Sequence, residues 1–246
     1  MLVPAWPAED LRKARIERRV GKGIMAETSE TIAIIGCGLI GESWSALFTG
    51  YGHDVTIWEP ALPALAPLLE RVESARRRVR GIGAQNTKKE GHLHVAATLE
   101  EAVASASWIQ ENAPESVPLK RELYGRIGKA APADAVIASS TSSLTWSELA
   151  QDMRHPWRFI TAHPFNPPHI MPLVEIFARG DAIRERAVSF YRALGRTTVE
   201  LKRDAVGHIA NRLSSALWRE AVNIVAEGIA DVSRSEERRV GKECLE

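Results

Sequence analysis

Residues 31–41 read Thr-Ile-Ala-Ile-Ile-Gly36-Cys-Gly38-Leu-Ile-Gly41, a strand-like run followed directly by three glycines in the spacing G-x-G-x-x-G. β-Branched residues favour a strand, and an amphipathic helical pattern begins after Gly38. In such a unit the first glycine permits a tight turn, the second lets a pyrophosphate approach the backbone, and the third lets the helix pack closely on the strand. The stretch therefore predicts a dinucleotide-binding βαβ unit.

The sequence after the glycines supports this interpretation. A second strand-like run ends at Glu59, where an acidic side chain can bind the 2′-hydroxyl of the adenosine ribose and would repel a 2′-phosphate. The cofactor is therefore expected to be NAD rather than NADP. Leu39 and Ile40 begin the helix whose N-terminus attracts phosphate groups. The predicted cofactor-binding residues of this unit are Gly36, Gly38, Leu39, Ile40, Gly41 and Glu59.

Farther along the chain, strand-like and helix-like segments alternate. Strands are expected at residues 31–35, 55–58, 108–111, 136–139, 159–162, 174–177 and 197–201. Helices are expected at residues 39–51, 62–80, 99–106, 118–129, 145–153 and 182–194. Such alternation predicts parallel strands joined by right-handed helical crossovers. The expected fold class is α/β, a Rossmann-type doubly wound sheet with mostly parallel strands.

The pattern changes near Ile209, where apolar residues continue at helical spacing as far as Val225 and no strand follows. We interpret this segment as the first long helix of a truncated all-helical domain. The expected organisation is an NAD-binding domain at residues 29–203 and the start of a helical C-terminal domain for dimerisation and substrate binding at residues 204–232. The segments at 1–28 and 233–246 share the hexapeptide Glu-Arg-Arg-Val-Gly-Lys. They are interpreted as non-native or disordered tails, with two solvated basic tails as the alternative.

Composition excludes several classes of protein. The 246 residues carry a net charge of +1, which provides no global field for nucleic acid or an anionic membrane. The longest apolar run is too short to span a bilayer. The only two cysteines, Cys37 and Cys244, make a disulfide framework or a cysteine metal site implausible. We therefore expect a cytoplasmic protein that binds no nucleic acid, membrane or metal.

Residues 159–176 contain several side chains that could act in catalysis. They read Phe-Ile-Thr-Ala-His163-Pro-Phe-Asn166-Pro-Pro-His-Ile-Met-Pro-Leu-Val-Glu175-Ile. A strand ends at His163, a proline-rich loop follows, and the next strand carries Glu175. A histidine at a strand's carboxyl end can act as a general base, and a carboxylate on the neighbouring strand can hold its other nitrogen. The run Ser139-Ser-Thr-Ser142-Ser also follows a strand. From the residues alone, two other interpretations remain open. The histidine could have a structural role, and the serine run could cap the N-terminus of a helix.

Several motifs together carry a family resemblance. They are the glycine turn, Glu111-Asn-Ala-Pro-Glu115 with Lys120, the serine run, His163-Pro-Phe-Asn166-Pro with Glu175, and Gly207-His-Ile-Ala-Asn211-Arg. From about residue 31 to residue 232 the chain resembles the L-3-hydroxyacyl-CoA dehydrogenase family. Within that family it is most similar to the branch of L-carnitine dehydrogenase and lambda-crystallin/L-gulonate 3-dehydrogenase.

The resemblance implies a role for each matching residue. His163 would be the catalytic base, oriented by Glu175, while Ser142 and Asn211 would hold the reacting oxygen of the substrate. Three further residues would lie near the cofactor: Glu115, Lys120 and Asn166. The implied activity is NAD-dependent oxidation of a small L-3-hydroxy acid, carnitine-like or gulonate-like, to the 3-keto acid. The full-length protein is expected to be a homodimer.

Alternatives remain at this point. The substrate could instead be a 3-hydroxyacyl-CoA thioester, although the short segment after Glu59 and the serine at position 140, where the acyl-CoA enzymes usually have asparagine, favour a small acid. The chain could also be an NAD-binding unit without turnover, or a structural protein as in the lambda-crystallin relatives. A decarboxylating hydroxyacid dehydrogenase would need a lysine where this sequence has Asn211.

Overall fold

The computed structural model describes residues 30–61, 65–81 and 91–232, so the tails expected at 1–28 and 233–246 lie outside the described residues. The strands are β1 (Thr31–Ile35), β2 (Asp54–Trp58), β3 (Leu93–Val95), β4 (Trp108–Glu111), β5 (Val136–Ser139), β6 (Phe159–Pro164), β7 (Leu173–Ala178) and β8 (Thr197–Glu200). The helices are α1 (Leu39–Gly50), α2 (Leu65–Gly81), α3 (Leu99–Val103), α4 (Val117–Ala130), α5 (Trp146–Leu149), α6 (Asp181–Ala193) and α7 (Ala210–Ala226). A 3₁₀ helix spans Pro156–Arg158.

The strands form one sheet in the order β3-β2-β1-β4-β5-β6-β7-β8. Every neighbouring pair is parallel except β6 and β7, which are antiparallel. The strand order reverses between β1 and β4, as it does in doubly wound nucleotide-binding folds. The predicted Rossmann-type α/β fold is therefore confirmed.

Helices cover both faces of the sheet, which explains why its central strands are apolar on both sides. Ile32 and Ile34 on β1 face a core formed with α1, α2 and α6. Ala33 and Ile35 on the same strand face a second core formed with α3, α4 and α5. Each isoleucine is fully buried, which contributes roughly 1.5–3 kcal/mol of hydrophobic transfer free energy per side chain.

Three elements differ from the expected pattern. Helix α3 was expected to reach residue 106 but ends at Val103. Strand β3 was not predicted, because it has only three residues, two of them exposed, and pairs with β2 alone. Helix α5 was expected to reach residue 153 but ends at Leu149. Thr145 and Glu148 form a capping box that sets its start, and Pro156 begins the 3₁₀ helix shortly after its end.

Helix α7 confirms the helical pattern that begins near Ile209, and it lies largely outside the two cores. Leu213, Leu217 and Val222 are each more than half exposed. The interpretation of this helix as the start of a second domain remains a prediction. Among the described residues, no helix is both long enough and apolar enough to cross a bilayer.

Candidate active site

The candidate site lies at the carboxyl edge of the parallel strands. Because β1, β4, β5 and β6 run in the same direction, the residues that follow them meet along one edge of the sheet. These residues belong to the glycine turn after Ile35, the loop after Glu111, the serine loop after Ser139, and the segment around His163. The sequence motifs that are separated along the chain are thus collected at one crevice.

The first and third glycines of the turn are required by the backbone. Gly36 has φ +85°, and a Cβ atom there would lie 3.0 Å from the carbonyl carbon of Asn112. A Cβ atom at Gly41 would lie 2.2 Å from the carbonyl oxygen of Gly36. Any side chain at either position would push α1 or the loop after β4 out of place.

The second glycine, Gly38, leaves open space at the start of α1. No atom among the described residues lies within 4 Å of a Cβ built there. Gly38 is the N-cap of α1 and provides no side-chain cap, so the backbone N–H groups of the first turn, which includes Leu39 and Ile40, are available to a ligand. Open space beside uncapped N–H groups fits the pyrophosphate of a dinucleotide.

Glu59, directly after β2, lies against the same turn. One carboxylate oxygen accepts a hydrogen bond from the backbone N–H of Cys37 at 2.7 Å, and the other accepts from Ala61 at 2.9 Å. An ionised carboxylate offers about four lone-pair sites. Glu59 is therefore held in position while it retains acceptors for the hydroxyl groups of a ribose.

Alanine substitutions at Gly38 and Gly41 are expected to separate cofactor binding from folding. The Gly38→Ala side chain fits the free protein but occupies the pyrophosphate space, so we expect NADH affinity to fall at least about tenfold, equivalent to ~1.4 kcal/mol. The loss of a glycine N-cap costs at most about 1 kcal/mol of stability. Gly41→Ala is expected to lower the free energy of unfolding by about 1–3 kcal/mol through overpacking.

NADH fluorescence titration and urea unfolding measure these two effects. Gly125→Ala is the matched control, because Gly125 lies within α4 and a Cβ there meets nothing within 4 Å among the described residues. We expect Gly125→Ala to leave NADH affinity unchanged and to raise stability by about 0.5–1 kcal/mol. Wild-type NADH affinity in Gly38→Ala would contradict the assignment of the turn as a pyrophosphate site.

His163 and Glu175 face each other across the antiparallel pair β6 and β7. The two residues are register partners, and Nδ1 of His163 lies 2.8 Å from Oε2 of Glu175. His163 is 8% exposed and Glu175 is 2% exposed. Because an ionised carboxylate only accepts hydrogen bonds, Nδ1 of His163 donates and Nε2 is the nitrogen with a free lone pair. This arrangement can remove a proton from a substrate hydroxyl.

Glu175 also binds the start of α7. Its Oε1 atom accepts hydrogen bonds from the backbone N–H groups of Ile209 and Ala210, each at 2.9 Å. Burial by itself would raise the pKa of Glu175, but the hydrogen bonds from His163 and from these two N–H groups outweigh it and hold the pKa below its ordinary value. One carboxylate thus joins the candidate base to the helix that follows the sheet.

Ser142 and Asn211 are brought into direct contact. The amide nitrogen of Asn211 donates to the carbonyl oxygen of Ser142 at 2.8 Å, which leaves its second N–H for a ligand. The hydroxyl of Ser142 donates to Oε1 of Glu115 at 2.9 Å. Burial would raise the pKa of Glu115, but hydrogen bonds from Ser142 and Thr141 together with the charge of Lys120 lower it.

Lys120 is enclosed beneath the site rather than exposed on its surface. It is 1% exposed, and its Nζ atom lies 2.7 Å from Oε1 of Glu111, 2.9 Å from the carbonyl oxygen of Ala113 and 3.7 Å from Oε2 of Glu115. These oxygens surround its ammonium group, and the expected place of Lys120 near the cofactor stays a prediction.

Asn166 is exposed in the loop between β6 and β7. Within the described part of the chain, its side chain makes no hydrogen bond. The structure thus leaves Asn166 available to a ligand but does not fix its direction.

Two residues of the site escaped the sequence analysis although both stand inside the quoted motifs. Glu111 is fully buried and binds Lys120, Tyr124 and Ser139 under the loop after β4. His208 is 2% exposed, and its ring centroid lies 5.2 Å from that of His163. No hydrophobic periodicity distinguishes either residue from its neighbours. Only their contacts in the folded protein show that they belong to the site.

A family model described as "3-hydroxyacyl-CoA dehydrogenase, NAD binding domain" matches residues 31–205. The chain is 40% identical to an L-carnitine dehydrogenase of Streptomyces griseus over an alignment of 210 residues. This alignment covers 84% of the chain. The chain spans 63% of the length of that relative.

Two solved structures share the fold. The first is 5-formyl-3-hydroxy-2-methylpyridine 4-carboxylic acid 5-dehydrogenase, an NAD⁺-dependent dismutase, with a TM-score of 0.79 and 27% identity over 84% of this chain and 68% of its own. The second is (S)-3-hydroxybutyryl-CoA dehydrogenase from Ralstonia eutropha, with a TM-score of 0.76 and 22% identity over 88% of this chain and 78% of its own. The second likeness supports the fold alone.

Proposed function

The chain belongs to the 3-hydroxyacyl-CoA dehydrogenase family through its NAD-binding domain, and on this premise we propose that it oxidises the 3-hydroxyl of a small L-3-hydroxy acid with NAD as acceptor. The observation that carries the proposal is the 2.8 Å contact between His163 and Glu175 on the same edge of the sheet as the glycine turn. A general base and a dinucleotide site at one crevice are what hydroxyl oxidation requires.

In the proposed mechanism His163 accepts the hydroxyl proton at Nε2, and Glu175 stabilises the resulting imidazolium through Nδ1. When bound, NAD would accept a hydride from the carbinol carbon of the substrate. Asn211 directs its second N–H to the substrate oxygen, and the hydroxyl of Ser142 turns from Glu115 to donate to the same oxygen. The glycine turn and Glu59 hold the cofactor.

L-Carnitine is the first substrate to test, because the Streptomyces griseus relative with 40% identity is an L-carnitine dehydrogenase. A gulonate-like acid is the second member of the same class. We also propose that the full-length protein is a homodimer that covers the exposed apolar residues of α7, which include Leu213, Leu217 and Val222.

The test measures NADH formation by the chain with L-carnitine, L-gulonate, (S)-3-hydroxybutyryl-CoA and, as a stereochemical control, D-carnitine. We expect turnover with an L-3-hydroxy acid and none with D-carnitine, because the base and the cofactor site have fixed positions relative to each other. NADH binding is titrated separately by fluorescence. Binding without any turnover would contradict the proposed activity and favour an NAD-binding unit.

A 3-hydroxyacyl-CoA thioester is the second candidate substrate, because the matching family model carries that name. Turnover with (S)-3-hydroxybutyryl-CoA but not with either small acid would favour it. The same assay therefore decides between the two substrates.

A further inference from the structure

We propose that His208 is a positioning residue that holds the ring of His163 and the serine loop in one arrangement. The family match ends at residue 205, so it assigns nothing to this histidine. The inference rests on the proposed function only for its kinetic readout.

His208 contacts both halves of the site. Its ring centroid lies 5.2 Å from that of His163 with an interplanar angle of 32°, a tilted arrangement that limits rotation of the imidazole of His163. Its Nε2 atom lies 3.1 Å from the carbonyl oxygen of Thr141. Because a carbonyl only accepts, Nε2 of His208 carries the hydrogen and donates it. One side chain thus restrains the base and the first residues of the serine loop.

The backbone of His208 indicates that the side chain itself is needed. His208 has φ +49°, and it is the one non-glycine residue with positive φ among those that the structure describes. A glycine would adopt this conformation without a steric penalty. A buried histidine held there is a local strain that the surrounding contacts must maintain, and such strain concentrates at functional sites.

The neighbouring residues make the same connection through the backbone. Ile209 and Ala210 donate to Glu175, and Asn211 donates to the carbonyl oxygen of Ser142. Segment 207–211 therefore binds the partner of the base on one side and the serine loop on the other. Within this segment, His208 is the residue whose side chain touches His163 itself.

His208 is suited to this place because it stays uncharged beside the base. Burial first, and then the nearby charge of His163, lower its pKa, although the hydrogen bond to Thr141 and the charges of Glu175 and Asp204 act in the opposite direction. The charged and titratable groups around it thus include His163, Glu175 and Asp204, and Arg203 and Arg212 line the same cavity. A neutral His208 places no positive charge against the imidazolium that His163 forms after taking a proton.

Three substitutions separate the two contacts. His208→Phe keeps an aromatic ring against His163 but cannot donate to Thr141. His208→Gln keeps an amide donor near the place of Nε2 but removes the ring. His208→Ala removes both.

The first readout is the NMR signal of the Nδ1–H of His163, which is expected far downfield because this proton is shared with a carboxylate. It requires no turnover. We expect the signal to persist in His208→Phe and to broaden through exchange with water in His208→Gln and His208→Ala, because of the two contacts of His208 only its ring packs on the imidazole.

The second readout is the split between kcat and KM for oxidation of the hydroxy acid. We expect His208→Ala to lower kcat about 10- to 100-fold, since small misplacement of a catalytic group has effects of this size. His208→Phe should mainly raise KM through the freed serine loop, and His208→Gln should mainly lower kcat. A loss of stability alone would not raise KM in one variant and lower kcat in the other.

His53→Gln is the matched control. Its ring centroid lies 5.9 Å from that of Phe190 and its Nδ1 accepts from the backbone N–H of Glu30 at 3.1 Å, so it also makes one ring contact and one backbone hydrogen bond. It precedes β2 and lies at the opposite edge of the sheet. We expect His53→Gln to change the unfolding midpoint but neither readout.

An unchanged Nδ1–H signal in His208→Ala, or equal losses of signal in the Phe and Gln variants, would overturn the proposal. If the wild-type chain shows no turnover, the kinetic arm reports on the proposed function while the NMR arm still decides the role of His208. The two failures are therefore distinguishable.

Discussion

Substitution of His163 by asparagine is expected to lower the turnover of L-3-hydroxy acid oxidation by about 10²–10⁴-fold, the usual contribution of a positioned general base. Asparagine can place an amide donor close to where Nδ1 of His163 lies, so the contact with Glu175 is preserved while the base at Nε2 is removed. NADH affinity should stay within about twofold of the wild-type value, because the glycine turn and Glu59 are untouched.

The comparison with His94→Asn controls for histidine loss as such, because His94 is exposed on the edge strand β3. Steady-state rates and NADH titration are measured on both variants. Wild-type turnover in His163→Asn would show that another group removes the proton and would contradict the mechanism.

Glu175→Gln is expected to have a comparable effect for a different reason. Glu175 accepts hydrogen bonds on both oxygens, from His163 at Oε2 and from two backbone N–H groups at Oε1. An amide can accept on only one side. If its NH₂ group faces His163, the imidazole must accept at Nδ1, so its hydrogen moves to Nε2 and the base is lost. If it faces α7, the helix loses its anchor.

We expect Glu175→Gln to reduce kcat at least about 10²-fold while NADH affinity changes little, since the tautomer of the base matters more than the cofactor contacts. Glu101→Gln is the matched control, because Glu101 also accepts a backbone N–H bond, from Ala97 at 2.9 Å, but lies outside the site. Turnover of Glu175→Gln equal to that of Glu101→Gln would refute the role of the carboxylate.

The same substitution has a defined pH dependence in stability. The pKa of Glu175 is lowered in the folded chain, so its contribution is present above the unfolded value of about 4.3 and is lost as the pH falls through the folded value. The difference in unfolding free energy between wild type and Glu175→Gln should therefore have its largest value at neutral pH. It should shrink on acidification below about pH 4. Urea unfolding at several pH values measures it.

Much of the fold was predictable because its signals are local. The run before Gly36 is short, largely buried and apolar, the strand before Glu59 alternates buried and half-buried residues, and the glycine spacing defines the turn between strand and helix. The elements that escaped prediction are those whose limits depend on neighbours. Strand β3 exists because it pairs with β2, and α5 is short although its apolar pattern continues to Met153.

The site was predictable in its residue types but not in all its contacts. His163 and Glu175 stand at the ends of successive strands, so their proximity follows from a register that a short loop imposes. Lys120 illustrates the limit. Its place near the cofactor stays a prediction, and only the structure shows that Glu111, Ala113 and Glu115 surround its ammonium group.

The amino-acid sequence by itself determined the glycine turn, the acidic residue after β2, and the order of strands and helices, because steric freedom at glycine and apolar periodicity act over a few residues. Only the tertiary structure decided that the start of α7 binds Glu175, that His208 packs on His163, and that Lys120 is buried. The contacts of Glu175 and His208 join segments more than thirty positions apart, and their energies depend on burial and direction, which no local pattern records.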